Sequence, residues 1–139
     1  MDLSYLFTPF AAWLVAGCLK FLVNSLKTKK LALGLIGYGG LPSNHSAIVS
    51  SMAALIALKE GVQHPAFGVA LTLAFIVMLD ASSLRRQIGK QAAVINKLGV
   101  AINVEQPALR ERLGHTLAEI LAGIIAGVCV AYAVIGISA

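Results

Sequence analysis

Two histidines each stand at the start of an uncharged run and follow a glycine-bearing turn. His45 lies in Gly39-Gly40-Leu41-Pro42-Ser43-Asn44-His45-Ser46, and His115 in Gly114-His115-Thr116. An imidazole gives or takes a proton near neutral pH. Glu119 follows His115 by four residues, so on a helix the two side chains share a face and can meet. A carboxylate bonded to one ring nitrogen fixes the tautomer and leaves the other nitrogen free to attack. The octapeptide around His45 has the makings of an anion site. Its glycines permit tight or left-handed backbone, Pro42 fixes φ, and Ser43 or Asn44 can cap the helix that follows. A helix start offers unpaired N–H groups and a positive dipole end. Lys20, Lys27, Arg85 and Arg86 could neutralise a phosphoryl group and the charge of its transition state. These residues point to phosphoryl transfer through a phosphohistidine; the octapeptide alone could equally be a helix cap with an incidental histidine.

The elements that must position these groups are membrane helices. At 139 residues the chain has room for one domain. It is 58% hydrophobic and 12% charged, with a mean hydropathy of +0.85. Soluble domains carry roughly 25% charged residues, so this surface cannot all face water. The net charge of +5 is no nucleic-acid signature, because the cations cluster between apolar runs without aromatic interleaving. Cys18 and Cys129 lie inside apolar runs, where thiols usually act as small hydrophobes. They have no zinc or redox spacing. Met1-Asp2 lacks a basic n-region, so the first apolar run is expected to stay as a membrane helix.

That run extends from Leu3 past Lys20 to about Leu26, with Lys27, Lys29 and Lys30 marking an aqueous side. Leu31 to Gly40 is apolar and glycine-rich, which suits a re-entrant or buried loop. A second helix is predicted from Asn44 to Lys59, rich in small residues and serines for close packing inside a bundle, with Gly61 as its stop. A third starts at Pro65 and runs to Asp80. The polar segment from Ala81 to Glu111 has a weakly amphipathic middle, Gln87 to Leu98, that predicts an interfacial helix. The last helix follows Gly114-His115-Thr116 and carries Gly123-Ile124-Ile125-Ala126-Gly127, a GxxxG face for packing within the chain or between copies. Four crossings place the basic loops on one side, which the positive-inside rule makes cytoplasmic. His64 falls on the far side and reads as a loop residue.

Pro42-Ser43-Asn44-His45 resembles the second motif, Pro-Ser-Gly-His, of the type 2 phosphatidic acid phosphatase (PAP2) superfamily. His115 with Glu119 resembles the latter half of the third motif, where a histidine precedes an acidic residue by four. The chain as a whole resembles the small divergent PAP2 family of membrane proteins. The ordered signals are Gly39 to Ser46, Asp80 to Gln87 and Leu113 to His115.

The resemblance implies an all-α integral membrane bundle of about four transmembrane helices plus a short interfacial helix, with residues 1–139 forming a single PAP2-like domain. It implies His115 as nucleophile, Glu119 as its orienting carboxylate and His45 as general acid. The backbone N–H groups of Ser43 and Asn44 would hold phosphate oxygens. Lys20 and Lys27 have the spacing of the superfamily's first motif, with lysine for arginine and no proline. Arg85 and Arg86 fit the clamp of the third motif if an insertion splits it, although Arg110 and Arg112 are nearer in sequence. Asp80 is a supporting residue, either paired with an arginine or closing a helix.

The expected activity is hydrolysis of a lipid phosphate or diphosphate, of the phosphatidic acid, phosphatidylglycerophosphate or prenyl diphosphate class, at an inner or plastid-type membrane. No cofactor is expected. Asp80 with Glu119 could bind Mg²⁺, but these are few carboxylates for such a site. Membrane lipids are the expected partners, with no nucleic acid, and a homodimer would shield the sides of so small a bundle. The alternative is a non-catalytic membrane protein that binds phosphate or lipid headgroups in the same pocket.

Overall fold

The computed structural model describes residues 3–29, 40–103 and 106–138. These form helices α1 (Ser4–Thr28), α2 (Asn44–Lys59), α3 (Pro65–Leu79), α4 (Arg85–Ala101) and α5 (Leu117–Ser138), with a π-helical turn, Asp80–Leu84, joining α3 to α4. No strand occurs among the described residues. The predicted re-entrant loop before Gly40 lies outside them, as does Lys30.

Three helical stretches are long and apolar enough to cross a membrane: Ser4–Thr28, Pro65–Ala101 and Leu117–Ile137. Helix α2 has 16 residues, about 24 Å at 1.5 Å per residue. A crossing usually takes about 20 residues. It packs against α1, α3 and α5. The bundle is therefore three spans around a short central helix.

The interior is made of small residues and the exterior of large ones. Ala12, Ala16, Ala47, Ala53 and Ala74 are buried, together with Thr8, Ser46, Ser50 and Ser51. Phe10, Phe75 and Ile125 each expose more than 60% of their surface. A soluble protein could not hold so wide an apolar belt in water. Lipid removes that cost, and small side chains then let helix backbones approach closely. The buried hydroxyls stay bonded by donating to carbonyls of their own helix: Thr8 to Ser4 at 2.6 Å, Ser50 to Ser46 at 2.6 Å and Ser51 to Ile48 at 2.8 Å.

The GxxxG face of α5 packs against α2 of the same chain. A Cβ at Gly123 would collide with the Ser43 carbonyl and lie 2.8 Å from the Ser46 Cβ. One at Gly127 would meet Ser50 Oγ and the Ala47 carbonyl. Of the two uses expected for this motif, the structure shows the one within the chain.

Three expectations change. The polar segment is no separate interfacial helix: α4 continues from α3 through the π turn, giving one 37-residue helical run. Cys18 and Cys129 are free and exposed on the outer surface, not buried. His64 caps α3, its Nδ1 accepting from the Ala66 N–H at 3.2 Å. The predicted bounds of α2 hold, and Gly61 has φ +87°, the left-handed stop expected of it.

Candidate active site

The site lies where α2 and α5 begin, beside the junction of α3 with α4. Ser43 caps α2: its Oγ accepts from the Ser46 N–H at 3.3 Å and from the Ser46 hydroxyl at 3.0 Å. Both serines are fully buried. The Ser43 N–H donates to the Glu119 carbonyl at 2.9 Å, which pins the start of α2 to the first turn of α5. That donor was expected to hold phosphate. In this geometry it is already committed, because the chain uses it to join the two helix starts. The N–H groups of Asn44 and His45 have no partner among the described residues and remain as donors there.

Helix α5 starts with a capping box. Thr116 Oγ1 accepts from the Glu119 N–H at 3.3 Å, and Glu119 Oε2 accepts from the Thr116 N–H at 3.0 Å. The same Oε2 lies 3.0 Å from His115 Nδ1. An ionised carboxylate can only accept, so Nδ1 carries the proton and Nε2 presents its lone pair. The pattern Thr116-x-x-Glu119 before an apolar run is a readable signal for this box, distinct from the His115–Glu119 spacing. Glu119 therefore both caps the helix and aims the imidazole.

The π turn sets the other side of His115. The Arg85 N–H donates to the Asp80 carbonyl, five residues back, instead of to Ala81. The freed Ala81 carbonyl accepts from the His115 N–H at 2.9 Å. Gly114, with φ +92°, makes this approach by a backbone conformation that suits glycine; a Cβ there would lie 3.2 Å from the Arg86 nitrogen. A π turn within a helix often marks a functional site. Here it places both Arg85 and the backbone of His115.

His45 faces His115 with ring centroids 6.1 Å apart and planes tilted by 57°. Its Nδ1 is buried without a hydrogen-bond partner, as is Asn44 Oδ1, leaving Nε2 as the nitrogen that can meet a ligand. At this mouth, outside the three spans, burial holds the His45 pKa below its ordinary value. The positive charges of Arg85 and Lys20 and the neighbouring His115 imidazole add to that effect, and Asp80 opposes it. Lys20, half-buried on α1, also interacts with the Glu119 charge. Asp80 and Arg85 form a long, half-exposed ion pair of 3.4 Å.

The structure thus brings together His45, His115, Glu119, Lys20, Arg85 and Asp80, with Ser43 and Asn44 shaping the floor. Lys27 and Arg86 are exposed, and neither is among the charges acting on His45. Arg110 and Arg112 are exposed on the segment that returns along α4. Lys27 sits about two turns beyond Lys20 on α1, and the Arg86 backbone packs on Gly114.

Comparison with known proteins assigns the chain to a family. The profile of the Divergent PAP2 family matches residues 1–130. The uncharacterized membrane protein YuiD of Bacillus subtilis (strain 168) is 33% identical over 139 aligned residues, covering 88% of each chain. No solved structure matches the chain. With its three membrane-spanning stretches, this is an integral membrane protein, and it belongs to the divergent PAP2 family.

Proposed function

We propose that the protein is a membrane phosphatase that hydrolyses a lipid phosphate or diphosphate through a phosphohistidine. The observation that carries this reading is His115, aimed by Glu119 and opposed by His45 at a centroid distance of 6.1 Å. The two imidazoles are thus near enough to act on one phosphoryl group, one by attack and one by proton transfer.

In this reading Nε2 of His115 attacks phosphorus and the bond from phosphorus to the leaving oxygen breaks. His45 gives that oxygen its proton, and Lys20 and Arg85 neutralise the phosphoryl oxygens. Water then attacks the phosphohistidine, returning its proton to His45 and freeing inorganic phosphate and His115. A cationic, partly dry pocket favours neutral His45 when empty. A bound phosphate dianion reverses the sign of the local charge and raises the proton affinity of His45 when a proton is needed.

A second reading has its own support. Asn44 sets a side chain where the superfamily's motif has glycine, and the Ser43 N–H is taken by Glu119. Both suit a pocket that holds a phosphate headgroup without turning it over.

The deciding experiment is phosphate release by detergent-purified wild type and His115→Ala across a panel of lipid phosphates, first without metal and then with Mg²⁺. The expected result is release by wild type that is vanadate-sensitive and lost in the variant. Silence of wild type on every lipid, with phosphate or vanadate binding retained, would favour the binder.

A further inference from the structure

Contacts at both ends of the bundle fix two levels along its axis. At the far end Lys59 Nζ donates to Ser4 Oγ at 2.7 Å, so the end of α2 lies beside the start of α1. At the near end a Cβ on Gly17 would lie 3.8 Å from Asn44 Nδ2, so the first residue of α2 lies beside Gly17. The Ser43 N–H joins this level to Glu119, and the Ala81 carbonyl joins the α3–α4 junction to His115. At 1.5 Å per residue, Ser4 to Gly17 rises about 20 Å, Asn44 to Lys59 about 23 Å and Pro65 to Leu79 about 21 Å. Three helices thus agree on the depth of the histidines below the far polar end. The hydrocarbon of a bilayer is roughly 30 Å thick.

Beyond Gly17, α1 continues for about three more turns with two unlike faces. Leu19, Leu22 and Leu26 share the outer face, and Leu22 and Leu26 each expose more than half of their surface. Lys20 and Asn24 share the inner face. Lys20 interacts with the Glu119 charge, and a Cβ at Gly40 would lie 3.1 Å from Asn24 Oδ1. Ser4 to Leu26 is about 33 Å of helix, enough apolar surface for a whole bilayer. The α3–α4 junction differs. Asp80 and Arg85, flanking the carbonyl that meets His115, are each more than 40% exposed. Ser83 is exposed between them, and Arg86 and Lys90 follow, also exposed. Leu84 and Ile88 are exposed there too, but each lies within one turn of a charge that hydrocarbon accepts only at high cost.

We infer that the membrane surface dips at the α3–α4 junction, where lipid phosphate groups descend to the level of His45 and His115, while along α1 it stays about 10 Å higher. The inference deepens the lipid-phosphate reading of the site and rests on it for the identity of the ligand. Water and headgroups supply the surroundings that Asp80 and Arg85 require, so the bilayer thins beside them instead of covering them. The last turns of α1, leucine outside and Lys20 and Asn24 inside, wall the recess from acyl chains on their own side. Thinning costs free energy for each ångström of mismatch. A thicker host bilayer therefore resists the dip and lifts the phosphates away from the histidines, which ties turnover to bilayer thickness.

The test is thiol modification of the full chain in phosphatidylcholine vesicles, with a membrane-impermeant maleimide on both sides and Cys18 and Cys129 replaced by alanine. Lys29→Cys sets the wet rate and Leu14→Cys the protected one; a monodisperse peak in detergent shows that each variant folds. In bilayers of 18-carbon chains, Ser83→Cys is expected to react at least tenfold faster than Leu22→Cys. Equal rates at the two positions, whether both wet or both protected, would overturn the proposal. In a second arm, wild type is given lipid phosphates in bilayers of 14- to 22-carbon chains. Phosphate release is expected to fall at least several-fold from the thinnest to the thickest, and release that is level or rises with thickness would also overturn the proposal. Silence in every bilayer with the modification pattern intact would uphold the dip and count against the phosphatase reading instead.

Discussion

The two ends of α2 are both polar, and they are built in opposite ways. At the C-terminal end every group meets a partner. Lys59 Nζ donates to Ser4 Oγ at 2.7 Å and lies 5.3 Å from the centre of the Tyr5 ring, while the Tyr5 hydroxyl donates to Glu60 at 2.5 Å. At the N-terminal end His45 Nδ1 and Asn44 Oδ1 are buried and unbonded, and two cations, Lys20 and Arg85, act on the His45 imidazole. Buried polar groups left unpaired cost about 1–3 kcal/mol each. The far end fastens α1 to α2. At the near end backbone bonds, Ser43 to Glu119 and His115 to Ala81, join the helix starts.

This contrast can be broken by substitution, and the largest effect belongs to the nucleophile. His115→Ala should lower phosphate release by at least ~10³-fold, while the midpoint of thermal unfolding moves little.

Gly123→Ala comes next, because its new methyl group would strike the Ser43 carbonyl that begins α2. Overpacking of this kind costs about 1–3 kcal/mol. A lowered unfolding midpoint should therefore accompany loss of activity, since the Ser43–Glu119 bond must part. If Gly123→Ala is as stable as wild type, the in-chain role of the GxxxG face is wrong.

Glu119→Gln separates the two duties of one carboxylate. Glutamine can still close a capping box, so stability should fall by no more than about 0.5 kcal/mol. It cannot stabilise an imidazolium by charge, so turnover should fall by about 10- to 100-fold. Equal losses of turnover in Glu119→Gln and Glu119→Ala would fit this division; a glutamine variant with full activity would reduce Glu119 to a cap.

The smallest effect is expected at the satisfied end. Tyr5→Phe removes one hydrogen bond, about 0.5–1.5 kcal/mol of stability, and should leave turnover within about twofold. A large loss of turnover there would show that the two ends are coupled through α2.

Much of this was legible in the residues. Apolar runs separated by basic segments announced a membrane bundle, and the start and stop of α2 followed from Ser43, Lys59 and Gly61. The four-residue spacing of His115 and Glu119 foretold their meeting, but not by a shared helix face: His115 precedes α5, and Glu119 reaches back to it from the capping box. The join between α3 and α4 was not legible. A π turn differs from an α turn by one shifted hydrogen bond, and Asp80 to Leu84 carries no residue that forces the shift. Nor was the use of the Ser43 N–H, since its acceptor lies 76 positions away, at Glu119.

By itself, then, the sequence determined the class of fold, the bounds of its central helix and the local pairs of its chemistry, because hydropathy, capping and helical spacing act over a few residues. Only the tertiary structure set the charges of Lys20 and Arg85, and not those of Lys27 and Arg86, acting on His45. Within each pair both residues are cations in segments of the same character, and what separates them is their electrostatic reach to His45. That reach depends on how α1 and the α3–α4 junction pack around α2, a long-range outcome that the sequence near each residue does not record.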